Sequence, residues 1–346
     1  MPRSASDLSG DQPVQPLDTT VAEAAARALE SGQTHYVDVP GIAPLREATA
    51  RLLADQGAAC KAGNVLITAG VQESRFLALQ ILGEHHGPIA IPAVVHPGVR
   101  QALGARDIAF STIAVDESAG MLVDLAALRD ALAAGARLIY LEAPVRLTGA
   151  TYSRDALRTI AALAAEHEAG LVIDQGLAPW AAEPSAGAVL AAEGFHRLAV
   201  IGELAPGVGL QSWQIGYIAT DEAWLPPIQS QKQIMAICTC TASQYAALEA
   251  MEQLADVWAG LGATLRSSAA TARAAAAARG FNPLPGTTGS VLAVRAPDGA
   301  STTLEAAGYR AADGAAFGAP GVLRLAVPAG QDLAVVFATL SEGGRP

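Results

Sequence analysis

The sequence predicts an α/β fold: a mostly parallel seven-stranded sheet in a large domain, followed by a smaller α+β domain. Three observations carry this. Short, almost continuously apolar runs alternate with Ala/Leu-rich stretches of helical period, as in a sheet covered by helices on both faces. Each run is bounded by Gly, Pro or Asp. After Gly280 the pattern changes to short strands, turns and one last helix.

Taken in order, the strand candidates are residues 65–68, 89–92, 110–115, 138–142, 171–174, 198–202 and 215–219. Helical stretches separate most of them, at 72–82, 96–103, 124–134 and 154–168. This βαβα order requires right-handed crossovers between parallel strands. The last two strands have no helix between them; their connection, 203–214, is rich in Gly and Pro. Residues 241–279 are almost all helix formers, too many for one ordinary helix, and a break is expected near Gly260–Gly262. Strands at 290–295 and 321–326 and a helix at 332–340 complete the chain. The expected division is an N-terminal segment 1–40 joining the small domain, a large α/β domain 41–245, and an interdomain helix with the small domain over 246–346.

The 346 residues are 51% hydrophobic, 16% charged and 5% aromatic, so Ala, Leu, Val and Ile must build the core. A net charge of −11 with dispersed arginines argues against a nucleic-acid partner. The three cysteines suggest no disulfide framework. Cys238 and Cys240 have metal-like types but no third ligand nearby, so no metal is expected. No apolar run reaches membrane-spanning length and no secretory leader is visible, so a cytoplasmic protein with no membrane contact is expected. Of the 22 basic residues only Lys61 and Lys232 are lysines, and any lysine-dependent mechanism has only these two candidates.

The order of motifs resembles the class I/II aminotransferases, the fold-type-I pyridoxal-phosphate (PLP) enzymes, over nearly the whole chain. The opening LSGDQPVQPLDTT leads through a helix to Tyr36, Gly41, Leu45 and Arg46, as in that family. ITAGVQESRFLALQIL resembles the strand–Gly–helix that cups the cofactor phosphate. EAPVRLTGATYS resembles the Pro-x-Asn-Pro-Thr-Gly loop, and VIDQG the strand whose Asp pairs with the pyridine nitrogen. DGAAFGAPGVLRLAVPAG resembles the segment carrying the substrate-binding Arg, here Arg324. The resemblance implies an aminotransferase-like fold, a small amino-acid-like carboxylate as substrate, and a homodimer with the site between subunits.

The departures bear on mechanism. The position of the Schiff-base lysine falls on Pro206 when Gly216–Tyr217 is the anchor, and on Gly202 when Leu-Ala-Pro-Gly is; neither is lysine. The phosphate-binding Arg falls on Gln214, the Asn that bonds the phenolic oxygen on Arg146, and its partner Tyr on Leu177. The aromatic ring that stacks on the pyridine falls on His96. That lysine forms the Schiff base and moves the proton during transamination. Without it, no covalent PLP chemistry is expected, and PLP is left at most a non-covalent role.

The candidate catalytic residues are therefore Asp174, His96 and Glu203, and the candidate substrate-binding residues are Arg324, Arg146, Tyr36 and Trp213. Gly70, Val71, Gln72 and Asp174 would hold PLP if it binds. Each has a plainer reading. Asp174 faces a protonated ligand or caps the next helix. Arg324 clamps a carboxylate or forms a structural ion pair. His96 acts as acid or base, or packs at a helix start beside Pro97. Arg146 and Glu203 pair with each other, or act as anion site and general base. Trp213 and Trp180 fill vacated cofactor space or the ordinary core. Gly70–Gln72 opens a helix able to hold an anion. Tyr36 reaches the partner subunit's phosphate or lies in a surface loop.

Three functions remain open. The chain is an enzyme, though not a transaminase, that acts on an amino-acid-like carboxylate by acid–base chemistry. Alternatively it is a catalytically silent partner or ligand sensor. In the third reading it uses PLP held non-covalently or as an amino-acid adduct.

Overall fold

The computed structural model describes residues 7–11, 15–182, 184–253 and 255–343. Strand β1 (Asp7–Leu8) and helices α1 (Thr19–Glu30) and α2 (Ala43–Asp55) come first. Then follow β2 (Val65–Thr68), α3 (Gly70–His86), β3 (Ile89–Pro92), α4 (Pro97–Gly104) and β4 (Phe110–Ile113). A small ladder, β5 (Val115–Asp116) with β6 (Leu122–Val123), precedes α5 (Leu125–Ala133), β7 (Leu138–Glu142) and α6 (Arg154–Glu166). Next are β8 (Gly170–Asp174), α7 (Ala186–Leu190), β9 (Leu198–Glu203) and β10 (Gly216–Thr220). Helices α8 (Leu225–Ala236), α9 (Thr241–Gln253) and α10 (Ala255–Ala278) lead to β11 (Asn282–Pro283) and β12 (Val291–Arg295). Helix α11 (Ala300–Ala306), β13 (Arg310–Asp313), β14 (Val322–Ala326) and α12 (Ala334–Gly343) end the described chain.

The large sheet has seven strands in the order β2-β10-β9-β8-β7-β3-β4. β10 runs antiparallel to both neighbours, and the other pairings are parallel. The direct connection from β9 to β10 explains the reversal, because a short Gly/Pro link without a helix suits only antiparallel neighbours. Strands β2, β3, β7, β8 and β10 are buried at every residue, hence their unbroken apolar runs. Two apolar layers cover the faces: one under α3 and α4, the other including Leu45, Leu128, Ile160 and Ala246. Helices α1, α5 and α6 start where Asp18, Asp124 and Ser153 accept backbone N–H bonds.

The second sheet, β1-β13-β14-β12-β11, is antiparallel except for the β1–β13 pair, and packs its core on α10 and α12. One expectation is corrected here. Gly260 and Gly262 lie inside α10, so no break falls at the glycines. Ala-rich sequence around the glycines outweighs a Gly penalty of about 1 kcal/mol each. The expected strand 110–115 is likewise divided, with β4 ending at Ile113 and β5 starting at Val115. Among the described residues no helix is long and apolar enough to cross a membrane.

Candidate active site

The carboxyl edge of the parallel strands collects the charged groups, where α/β sheets ordinarily place ligands. Glu142 ends β7, Asp174 ends β8 and Glu203 ends β9, with Glu142 directly opposite Asp174 in the ladder. Arg75 comes from α3, His96 from the start of α4, and Arg146 from the loop after β7. Arg324 arrives from β14 of the small sheet, and Asp11 from the stretch after β1.

Asp174 is wholly buried and fully engaged. Its Oδ2 accepts from Arg75 Nε at 2.8 Å and the Tyr140 hydroxyl at 2.7 Å, and lies 2.7 Å from Arg75 Nη2. Its Oδ1 accepts from Arg146 Nη2 at 2.9 Å and Gly176 N at 3.0 Å. Burial alone would raise its pKa, but Arg146 and Arg75 hold the carboxyl well below the usual range. The hydroxyl of Tyr140 is pushed well above its ordinary value by burial and by Asp174, so it remains a donor.

Arg324 is equally occupied. Its Nε donates to the Arg146 carbonyl at 2.8 Å, Nη1 to the Gly10 carbonyl at 2.9 Å and Nη2 to Asp11 Oδ1 at 2.8 Å. The other Asp11 oxygen lies 3.4 Å from Arg146 Nη1 and 3.3 Å from His96 Nε2. Burial would raise the Asp11 pKa, but Arg324, the His96 hydrogen bond and Arg146 hold it well below the carboxylate range. A carboxylate from the chain itself thus sits between two buried guanidiniums. Arg146 Nε, also buried, has no hydrogen-bond partner among the described residues.

The His96 tautomer follows from its neighbours. Nδ1 receives Gly98 N at 3.0 Å and faces Arg75 Nη1 at 3.0 Å, and both of these are donors. The proton therefore belongs on Nε2, which faces Asp11. Burial lowers the His96 pKa despite Asp11, with the Arg75 charge acting in the same direction. Glu142 accepts His96 N at 2.7 Å and Arg146 N at 2.9 Å, and burial beside Asp174 pushes it up to about 7. Glu203 is also raised to about 7 by burial, although Arg146 Nη1 lies 3.7 Å away.

Asp174, His96, Glu203, Arg146 and Arg324 are brought together, as the sequence suggested. Three candidates are placed differently from this cluster or are taken up within it. Asp174 does not face outward to a ligand or cap a helix, since two arginines, a tyrosine and a backbone amide take both oxygens. Tyr36 is 80% exposed and makes no contact with this cluster within the chain. Trp213 is partly buried against the main core instead of lining the charged site. Gly70 and Val71 open α3 as expected, but Gln72 is turned to Gly98 O at 2.9 Å and to Arg75. The side chain of Gln214 crowds Gly70, where an added Cβ would meet its Oε1 at 2.5 Å. The first-turn carboxylate of Glu73 accepts Ala69 N. Leu177 and Trp180 are fully buried among Leu265 and Val291.

Arg75, Tyr140 and Asp11, together with Glu142 inside a motif already identified, were missed as members of the cluster. Arg75 follows Gln72 by three residues on one helix face, and Tyr140 precedes Glu142 by two in a strand, so both shared a side with residues in motifs already identified. Asp11 carried no signal in the sequence.

Both lysine amines are placed elsewhere. Lys232 is buried, with Nζ 3.1 and 2.9 Å from the Glu73 oxygens and 3.1 Å from Thr239 Oγ1. Lys61 is exposed, 2.7 Å from Glu222. Pro206 lies in the loop after β9. Gly202 lies inside β9, where a Cβ would meet the Tyr217 hydroxyl at 2.7 Å. Among the described residues no group of three His, Cys, Asp or Glu is placed to hold a metal.

Comparison with known proteins agrees with this architecture. The family model for aminotransferase class I and II matches residues 4–336. An aspartate aminotransferase of Pyrococcus horikoshii is 30% identical over 156 residues, 45% of this chain and 40% of that protein. One from Thermotoga maritima is 22% identical over 248 residues, 71% of this chain and 66% of that protein. The matched stretches thus span about 40–66% of these relatives' own lengths. A crystal structure of aspartate aminotransferase from Thermotoga maritima superposes with a TM-score of 0.89 at 20% identity, covering 99% of this chain and 92% of that one. With the family model matching nearly end to end on a seven-stranded, mostly parallel sheet, this chain belongs to the class I and II aminotransferase family.

Proposed function

We propose that this family member does not transaminate, and that its arginine pocket binds the carboxylate of a small amino-acid-like molecule in place of Asp11. The carrying observation is Asp11 itself, a carboxylate already seated between Arg324 Nη2 at 2.8 Å and Arg146 Nη1 at 3.4 Å. Paired buried guanidiniums recognise carboxylates well. The unpartnered Arg146 Nε adds a donor for a ligand with a second acceptor.

PLP, the cofactor of this family, does not fit these residues. The Asp174 oxygens that would face a pyridinium are taken by Arg75, Arg146, Tyr140 and Gly176. The lysine position is Pro206 or Gly202, and Gln214 and Glu73 crowd the helix start that would receive a phosphate. No reaction step is therefore assigned to it. Of the three acid–base candidates, Asp174 is locked as an ion and His96 has its free nitrogen covered. Glu203 is the group able to carry a proton near neutrality. Enzymatic acid–base chemistry at this site would run through it.

A silent partner or sensor is the second reading, favoured by the fully buried Leu177 and Trp180 and by the Arg146–Glu203 approach. In either case we propose a homodimer in a reducing, cytoplasmic setting. Tyr36, Ile234, Met235 and Ile237 are exposed large side chains suited to such an interface.

Mass spectrometry of the gently purified protein tests the carboxylate reading. A co-purified small carboxylate that disappears on Arg324→Ala supports it, and no carboxylate binding at millimolar concentration by wild type or Asp11→Ala rejects it. Treatment with PLP and borohydride tests the other half: a lysine adduct within the pocket rejects the loss of covalent chemistry.

A further inference from the structure

Glu203 also belongs to the wall of a cavity of about 420 Å³ between α2, the loops following β8 and β9, and helices α9 and α10. Leu52, Met251, Trp258 and Pro206 supply apolar wall. Most polar groups around it already have partners. Gln175 takes Gly187 N on its oxygen, and its nitrogen donates to the Tyr217 hydroxyl at 2.5 Å. Gln56 accepts from Ser185 at 2.6 Å, and Arg266 donates to the Trp180 carbonyl at 3.4 Å. Among the described residues the exceptions are the buried indole N–H of Trp258 and the carboxyl of Glu203. Its one ion-pair partner, Arg146, stands 3.7 Å off, beyond hydrogen-bond reach, and is shared with Asp174 and Asp11. Glu203 has no hydrogen bond among the described residues, and its side chain is 15% exposed.

We propose that this cavity is a binding site for a primary amine carrying an aromatic or branched apolar body. Its ammonium would sit on Glu203 and its body against Trp258, Met251 and Leu52. The volume lies in the range of about 300–1,000 Å³ usual for small-molecule sites. An ionised carboxyl only accepts hydrogen bonds, and an ammonium only donates them. A tryptophan face adds attraction for a cation. The charges that act most on Glu203 are Arg146, Asp11, Asp174 and Arg75, and a ligand carboxylate placed directly against an ionised Glu203 would meet a like charge. Binding the cation draws the proton off Glu203, which is raised to about 7 before binding, so affinity rises with pH across neutrality. This site goes beyond the carboxylate reading and does not depend on it, because Arg324 makes no contribution here.

The test is calorimetric titration with 2-phenylethylamine, 2-phenylethanol and 3-phenylpropionate at pH 6 and pH 8. For a carboxyl near pKa 7 the ionised fraction changes about tenfold over that interval, and amine affinity should follow it. Glu203→Gln should weaken the amine at least about tenfold and remove the pH dependence, while Arg158→Ala, at an exposed residue of α6 outside both sites, leaves it unchanged. Leu52→Trp, which fills the cavity and keeps Glu203, should abolish binding and gives an answer even where Glu203→Gln folds poorly. Binding of the propionate as tight as the amine, amine affinity indifferent to Glu203→Gln, or amine binding that survives Leu52→Trp overturns the proposal.

Discussion

Removing the Asp11 carboxylate should leave a measurable vacancy. In Asp11→Ala, Arg324 loses the acceptor of Nη2 at 2.8 Å and Arg146 Nη1 its neighbour at 3.4 Å, with both arginines fully buried. Breaking a buried ion pair from one side costs about 3–5 kcal/mol. Because Asp11 keeps 23% side-chain exposure, solvent screening brings the cost to the bottom of that range or just below it, about 2–3 kcal/mol. Unfolding entropy of about 2.1 cal/mol/K per residue, over 346 residues, converts this to a fall in Tm of about 3–4 °C. Acetate should refill the vacancy. For a Kd of about 10 mM, 100 mM acetate restores about 1.4 kcal/mol, or about 2 °C. Scanning calorimetry in acetate against chloride at matched ionic strength reads both effects. Wild type should show no acetate-specific shift, and Asp11→Ala/Arg324→Ala no rescue. An equal acetate response in wild type and Asp11→Ala, or a variant that melts like wild type, refutes the account of Asp11 as an internal carboxylate ligand.

Further outcomes follow from the same cluster. Glu203 has its folded pKa raised from 4.5 to about 7, so wild-type stability should decline as pH rises through that interval. Glu203→Gln should match wild type near pH 4.5 and be more stable at pH 8 by about 1–3 kcal/mol, read by thermal melts. Glu142→Gln should instead lose about 1–3 kcal/mol, because an amide NH2 would then face one of two backbone N–H donors; denaturant melts check this. Pro206→Lys alone should not generate PLP-dependent visible absorbance, since Arg75 and Arg146 still occupy Asp174. Gly176→Ala places a Cβ 1.8 Å from Arg146 Nη2 and should cost about 1–3 kcal/mol in chemical denaturation by pushing the guanidinium off Asp174.

The sequence by itself determined the fold class and the approximate course of most strands. Buried strands of a parallel sheet must be apolar at every position, so residues 65–68, 89–92 and 138–142 were visible as unbroken runs. The missing helix between β9 and β10 is visible in the sequence, while the reversal of β10 emerged only with the structure. Motif order suggested Asp174, Arg146, Glu203 and Arg324 as neighbours, and the sequence leaves only Lys61 and Lys232 as candidate amines. Tertiary structure alone decided how these charges are shared. Whether Asp174 meets a ligand or the protein depends on Arg75, whose helix face and rotamer are set by packing on β8 and β9. Whether Arg324 is open depends on Asp11, 313 residues away along the chain and delivered by the β1–β13 pairing. Ion pairing of this kind depends on distance in space, not along the chain, and leaves no periodicity in the sequence. A carboxylate from the polar segment 8–13 therefore became legible as an occupant of the arginine pocket only once the two sheets were placed together.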